Sequence, residues 1–181
     1  MSSLELVRQL IGVGALVALA GCAGGDAIVG PSDSSRGMII GRFDYSDSEY
    51  RVTAMTLDPS DRISIRMGGQ GERVHLYRNG VFFADDLKPG KYRVAALFSG
   101  NTVFTLPAEQ KMEAAVGPGE IRYIGTYKVK IDPKFFSRTG GAITRTDRNP
   151  NERELLEQVR ELVKDTEWRP KIERRLAQLK R

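Results

Sequence analysis

The chain has 181 residues, 40% of them hydrophobic, with 28 Lys+Arg against 23 Asp+Glu, a formal net charge of +5, one cysteine and one histidine. A single cysteine excludes an intramolecular disulfide framework, and a single histidine excludes a multi-histidine metal site and paired-imidazole chemistry. Charge is balanced from Ala23 to Asp132, with 14 basic and 14 acidic residues, whereas Pro133 to Arg181 carries 13 and 8 and so holds the whole excess.

The N-terminal residues carry only Glu5 and Arg8 before an uncharged, mainly apolar run of eleven residues, Leu10 to Ala20. That is the length of a signal-peptide core, and it falls short of the ~20 apolar residues of a spanning helix. The run ends in Leu19-Ala20-Gly21-Cys22, which resembles the lipobox of bacterial lipoproteins. The resemblance implies that residues 1–21 are a signal peptide cleaved after Gly21 and that Cys22 becomes the acylated N-terminus, with a diacylglyceryl group on its thiol and a palmitate-type chain on its amine. One acyl chain, at about 0.8 kcal/mol per buried CH₂, binds membranes only marginally, whereas two or more hold stably. Ala23 in place of an aspartate after the cysteine favours the outer over the inner membrane within the same resemblance, with the domain facing the periplasm. An ordinary secretory signal beside an unmodified cysteine, or a merely hydrophobic N-terminus, is the other reading of this segment.

Residues 22–37, rich in Gly, Ser, Asp and Pro, read as a flexible tether reaching about 20–25 Å. From 38 to 132 the pattern has period two broken by turn residues, which predicts a β domain. Strands are expected at Ile39–Phe43, Val52–Leu57, Arg62–Met67, Val74–Arg78, Val81–Ala84, Tyr92–Phe98, Val103–Leu106, Met112–Val116 and Glu120–Asp132. Asn79-Gly80 predicts a type I′ hairpin turn. The last strand places Ile121, Tyr123, Tyr127, Val129 and Ile131 on one face, with Gly125 as a bulge or bend. Eight or nine short strands predict a mainly β fold, an antiparallel β-sandwich.

Residues 133–148 read as a polar connector, and from 149 to 181 the period becomes helical. Asn149 and Pro150 suit an N-cap and first helical position. Leu155, Leu156, Val159, Leu162 and Val163 form one stripe, and Trp168, Ile172, Leu176 and Leu179 another behind a Thr166 cap. Two amphipathic helices are therefore expected after the sandwich. Their stripes have two readings, cover for a sheet face or a docking surface for an envelope partner; Trp168, Leu155, Val159, Leu162, Ile172 and Leu176 are the candidate partner-binding residues.

Leu87-Lys88-Pro89-Gly90-Lys91-Tyr92-Arg93-Val94 resembles the start of a strand in prealbumin-like and carboxypeptidase-regulatory-like sandwich domains, with Tyr92, Val94 and Ala96 facing inward. Gly117-Pro118-Gly119-Glu120-Ile121-Arg122-Tyr123-Ile124 is similar to a landmark of a domain of unknown function in exported bacterial proteins. These resemblances imply fold and carry no functional residues.

The chemistry-bearing residues are sparse. His75 lies in an expected strand and reads as a solvent-facing or sheet-edge residue, with no nucleophile elbow to complete a hydrolase triad. Gly68-Gly69-Gln70-Gly71 lies between strands and lacks the helix N-terminus of a phosphate loop. Asp44, Asp47 and Glu49 lack the glycine and terminal acid of a calcium loop. Asp85 and Asp86 read as turn residues ahead of Pro89, and Phe82, Phe83, Phe98, Phe104, Phe135 and Phe136 as core.

The expectation is a non-enzymatic, membrane-anchored envelope lipoprotein without cofactor, metal or nucleic-acid partner, binding or bracing an envelope protein. The alternative is a glycan- or peptidoglycan-binding module using Tyr45, Tyr50, Tyr77 or Tyr127. A periplasmic hydrolase using His75 stands third.

Overall fold

Met38-Ile39-Ile40 and Val81-Phe82-Phe83-Ala84 are continuous apolar runs inside strands, a pattern that suits a sheet covered on both faces. In the computed structural model both runs lie in such a sheet. The structure describes residues 28, 30–48, 50–59, 72–100, 102–105, 112–131 and 141–179. The leader with Cys22, the expected strand Arg62–Met67, the Gly68-Gly69-Gln70-Gly71 loop, Glu49, Leu106, and Phe135 and Phe136 lie outside the described residues.

The strands are β1 (Gly37–Asp44), β2 (Ala54–Pro59), β3 (His75–Leu76), β4 (Val81–Leu87), β5 (Gly90–Ser99), β6 (Thr102–Thr105), β7 (Glu113–Val116), β8 (Ile121–Ile131) and β9 (Gly141–Arg145). Helices α1 (Glu152–Leu162) and α2 (Trp168–Gln178) follow. Five strands form one sheet in the order β3-β4-β1-β8-β9, and the other holds β2-β5-β6 with β7 also paired to β5. The fold is the expected β-sandwich with two C-terminal helices. One pairing departs from an antiparallel sandwich: β1 and β8 run parallel. A parallel pair needs a long crossover, and the chain from β2 to β7 supplies it.

Two apolar layers result. Between the sheets lie Ile39, Phe43, Leu57, Phe82, Leu87, Tyr92, Val94, Leu97, Ile124, Tyr127 and Val129 with their neighbours. On the outer face of the five-stranded sheet, Met38, Ile40, Val81, Phe83 and Ile121 pack with Leu155, Leu156, Val159, Val163, Trp168, Ile172 and Leu176 of the helical segment. Successive strand residues point to opposite faces, so each apolar run feeds both layers at once.

Bulges change two expected faces. In β8 the register shifts so that Ile40 pairs with Tyr123 but Gly41 with Gly125, and Gly125 takes φ 131°. Ile121 and Tyr123 therefore join the helices while Tyr127 and Val129 enter the sandwich; the expected single face is split. The side chain of Ile131 is outside the described set. In β5 Leu57 pairs with Val94 and Thr56 with Ala96, so the extra residue at 95 replaces the expected Tyr92-Val94-Ala96 face by Tyr92, Val94 and Leu97.

The hairpin between β3 and β4 also differs from expectation. Gly80 N–H donates to the Tyr77 carbonyl at 2.9 Å and Tyr77 N–H to the Val81 carbonyl at 2.8 Å. Gly80 has φ 84°, and Asn79 is not in the left-handed region. The loop is thus the three-residue form ending in a left-handed glycine rather than a type I′ turn. Asn79 instead accepts from the Val81 amide through its side chain at 3.1 Å.

The remaining corrections concern element boundaries. The expected connector contains β9, which pairs along β8 from Tyr127↔Arg145 to Ile131↔Gly141. The cap of α1 lies two residues later than read: Asn151 accepts from Glu154 N–H at 3.1 Å, and Glu154 accepts from Asn151 N–H at 3.0 Å. This capping box satisfies two of the free amides at the helix start. The cap position of α2 is Glu167, one residue after the expected Thr166, and makes no side-chain cap bond; the Thr166 hydroxyl accepts from Trp168 N–H at 3.2 Å. The expected tether is shorter than residues 22–37, because Ile28 packs against the helical layer and Ser32 N–H donates to Asp86 at 2.7 Å.

Candidate functional site

The apolar stripes of the two helices are consumed within the chain. Leu155, Val159, Trp168 and Ile172 are 0% exposed, Leu176 is 7% exposed, and Leu162 is half-buried against the same layer. Placing Trp168, Leu155, Val159, Leu162, Ile172 and Leu176 at a partner interface is therefore corrected: they cover Met38, Ile40, Val81, Phe83 and Ile121 of the sheet. The physical reason lies in those strands, whose outward residues are as apolar as their inward ones. Each fully buried aliphatic or aromatic side chain contributes roughly 1.5–3 kcal/mol in such a layer.

His75 is at the sheet edge, as expected, but faces inward. Its side chain is 7% exposed and that of Asp85 5%, with Nε2 3.1 Å from Asp85 Oδ1. The imidazole stacks on Phe83 with ring centres 4.8 Å apart, and Tyr77 also stacks on Phe83, at 5.9 Å. Asp85 therefore belongs to β4 rather than to a turn, and its carboxylate meets the one buried imidazole. Asp86, with φ 61°, turns outward to Ser32 and Arg36. The register shift between Gly37 and Ile39 opposite these residues is what separates the two aspartates. Spacing in sequence gave no signal for the His75–Asp85 pair, which depends on the hairpin loop.

The four candidate tyrosines do not form one exposed surface. Tyr127 is 7% exposed and donates to the Ile124 carbonyl at 2.6 Å. Burial pushes its phenol up to about 12, and that of Tyr45 likewise to about 12. Tyr77 is partly covered, and burial with nearby Asp85 raises its pKa too. Tyr50 is exposed at 39%. Of the acidic run, Asp47 pairs with Lys128 at 2.6 Å, which holds its carboxyl below the usual range. Asp44 accepts from the Ser46 amide at 3.0 Å. Phe82 and Phe83 are core, as expected.

Outside the packed layers the helices present opposite charges to two open clefts. One, of about 290 Å³, lies between α2 and the β7–β8 turn and is lined by Gly119, Glu120, Ile121, Lys171, Arg174, Arg175 and Gln178. The other, of about 590 Å³, is lined by Arg42, Asn149, Pro150, Glu154, Glu157, Gln158 and Glu161. In the second, Glu154 is committed to the helix cap and Arg42 donates to the Asn79 and Asn149 carbonyls. In the first, Arg175 is held by Glu152 at 2.8 Å and Glu120 by Arg122 at 2.8 Å. Among the described residues Arg174 has no ion pair.

The fold and these surfaces define a β-sandwich with a helical cover and charged outer faces. No family model, no curated protein and no solved structure matches the chain. Among the described residues, no helix is long and apolar enough to cross a membrane.

Proposed function

We propose that the chain is a non-enzymatic lipoprotein of the bacterial cell envelope, held to a membrane by acyl chains on Cys22 and serving as a binding or bracing module for an envelope partner. The observation that carries this reading is Leu19-Ala20-Gly21-Cys22 directly after the eleven-residue apolar run. The outer membrane, with the sandwich in the periplasm, is the location this reading favours. The sandwich is of the prealbumin-like kind that Leu87–Val94 resembles.

The position of the first packed residue supports a close tether. Ile28 joins the helical layer, so only residues 23–27 separate Cys22 from the folded domain. Because the helical stripes are spent inside the chain, a protein partner meets the charged outer face of α1 or the end strands β3 and β9 of the five-stranded sheet. The experiment is expression of the chain and of Cys22→Ala in a Gram-negative host with labelled palmitate. The reading expects label and membrane recovery for the parent and neither for Cys22→Ala; an unlabelled, soluble parent contradicts it.

A further inference from the structure

The first described residues run beside α2. Ile28 packs into the layer made by the two helices, and a Cβ built on Gly30 would lie 3.6 Å from the Glu167 amide nitrogen. Lys171 Nζ reaches the carbonyls of Ser34 and Arg36, each at 3.5 Å. Cys22 stands six residues before Ile28, a span of at most about 20 Å at 3.3–3.6 Å per residue. Acyl chains on Cys22 would therefore hold the α1–α2 junction within about that distance of the lipid.

Charge on this side is predominantly positive. Helix α2 carries Arg169, Lys171, Arg174 and Arg175 against Glu173 alone. Lys171, Arg174 and Arg175 line one wall of the 290 Å³ cleft opposite Gly119, Glu120 and Ile121. The Glu120 carboxylate is occupied from both sides, accepting from Gly117 N–H at 2.7 Å and pairing with Arg122 at 2.8 Å. The cations thus face the opening without an uncommitted acid between them. Lysine offers three donors and arginine five, so each retains donors for a further acceptor.

We propose that this cleft and the outer face of α2 dock on anionic phospholipid, the cations receiving phosphate head groups, so that α2 lies along the membrane to which Cys22 is attached. The proposal rests on the lipid-anchor reading for its distance argument and on α2 for its chemistry. A basic surface adds to an acyl anchor by attraction to anionic lipid, and each Lys or Arg near such a surface contributes about fivefold in binding.

The test uses the full-length Cys22→Ser chain, which cannot carry the thioether lipid, sedimented with vesicles of phosphatidylcholine alone or mixed with phosphatidylglycerol. Binding is expected to be markedly stronger with the mixed vesicles. It should fall about 25-fold in Arg169→Gln/Arg174→Gln, which removes two charges, and rise in Glu173→Lys. Both arginines are exposed, and the apolar leader is common to every sample, so differences among them belong to α2. Equal binding to both vesicle types, or unchanged binding by the double variant, overturns the proposal. Palmitate labelling of the parent reports separately on the anchor: a labelled parent whose Cys22→Ser form ignores phosphatidylglycerol retains the anchor and loses the cleft.

Discussion

The Lys171 ammonium lies 4.6 Å from the centre of the Trp168 ring, joining the largest fully buried side chain of the helical layer to the basic cleft. A cation in this position is attracted by the negative face of the indole, and the contact fixes where Lys171 directs its remaining donors. Packing of α2 and presentation of its charge are thus one arrangement.

Trp168 is 0% exposed, and its Nε1 has no hydrogen-bond partner among the described residues. Trp168→Ala should destabilise the chain by about 3–5 kcal/mol through loss of buried volume. Trp168→Phe removes the unpaired N–H along with the second ring and should cost no more than about 2 kcal/mol. Urea unfolding of the two full-length variants checks this; equal costs would show that a phenyl ring recovers none of the lost packing and would contradict the volume argument.

Removing either partner of the His75–Asp85 pair leaves the other polar group buried. His75→Ala and Asp85→Ala should each cost about 1–3 kcal/mol, while the double variant should cost less than their sum because neither group remains unpaired. A double-mutant cycle in urea measures the coupling. Additive losses would mean that the 3.1 Å contact contributes nothing.

Folding should weaken in alkali. Burial holds the phenols of Tyr45 and Tyr127 neutral up to about 12, against an ordinary value near 10 in the unfolded chain. The folded state therefore binds these two protons more tightly, and their contribution is complete below about pH 10 and lost as pH rises toward about 12. Tyrosinate absorbance should show late-ionising phenols whose appearance coincides with unfolding. Six tyrosines all ionising near pH 10 in the folded protein would contradict the described burial.

A Cβ at Gly80 would run into the Phe43 carbonyl oxygen, and the residue's φ is 84°. Gly80→Ala should cost at least about 2 kcal/mol, since a left-handed alanine alone is worth 1–2. Asn79→Ala, which removes only the bond to Val81, should cost about 1 kcal/mol. Thermal unfolding separates the two; a milder Gly80 variant would mean that the hairpin is free to shift away from β1.

Much of the fold was legible in the sequence because strand period, turn residues and helical stripes are local signals. Leu155, Val159 and Ile172 announced amphipathic helices, but their destination depended on Met38, Ile40, Val81 and Phe83 sharing one distant face. Two bulges, at Gly125 and beside Val94, reassigned faces that strict alternation had predicted, since one inserted residue reverses every side chain beyond it. β9 escapes a sequence reading because its five residues, Gly141 to Arg145, hold a single large apolar side chain, Ile143, and so carry little apolar periodicity. The His75–Asp85 pair and the basic cleft are products of tertiary proximity, so no spacing could reveal them. Cys22, by contrast, is read from contiguous residues and requires no fold to be recognised.

The most direct measurement is the intact mass of the N-terminal fragment of the chain recovered from membranes of a Gram-negative host. The account predicts a fragment beginning at Cys22 and carrying a diacylglyceryl group on sulfur with an acylated amine. A fragment beginning at any other residue, or an unmodified cysteine, would contradict it.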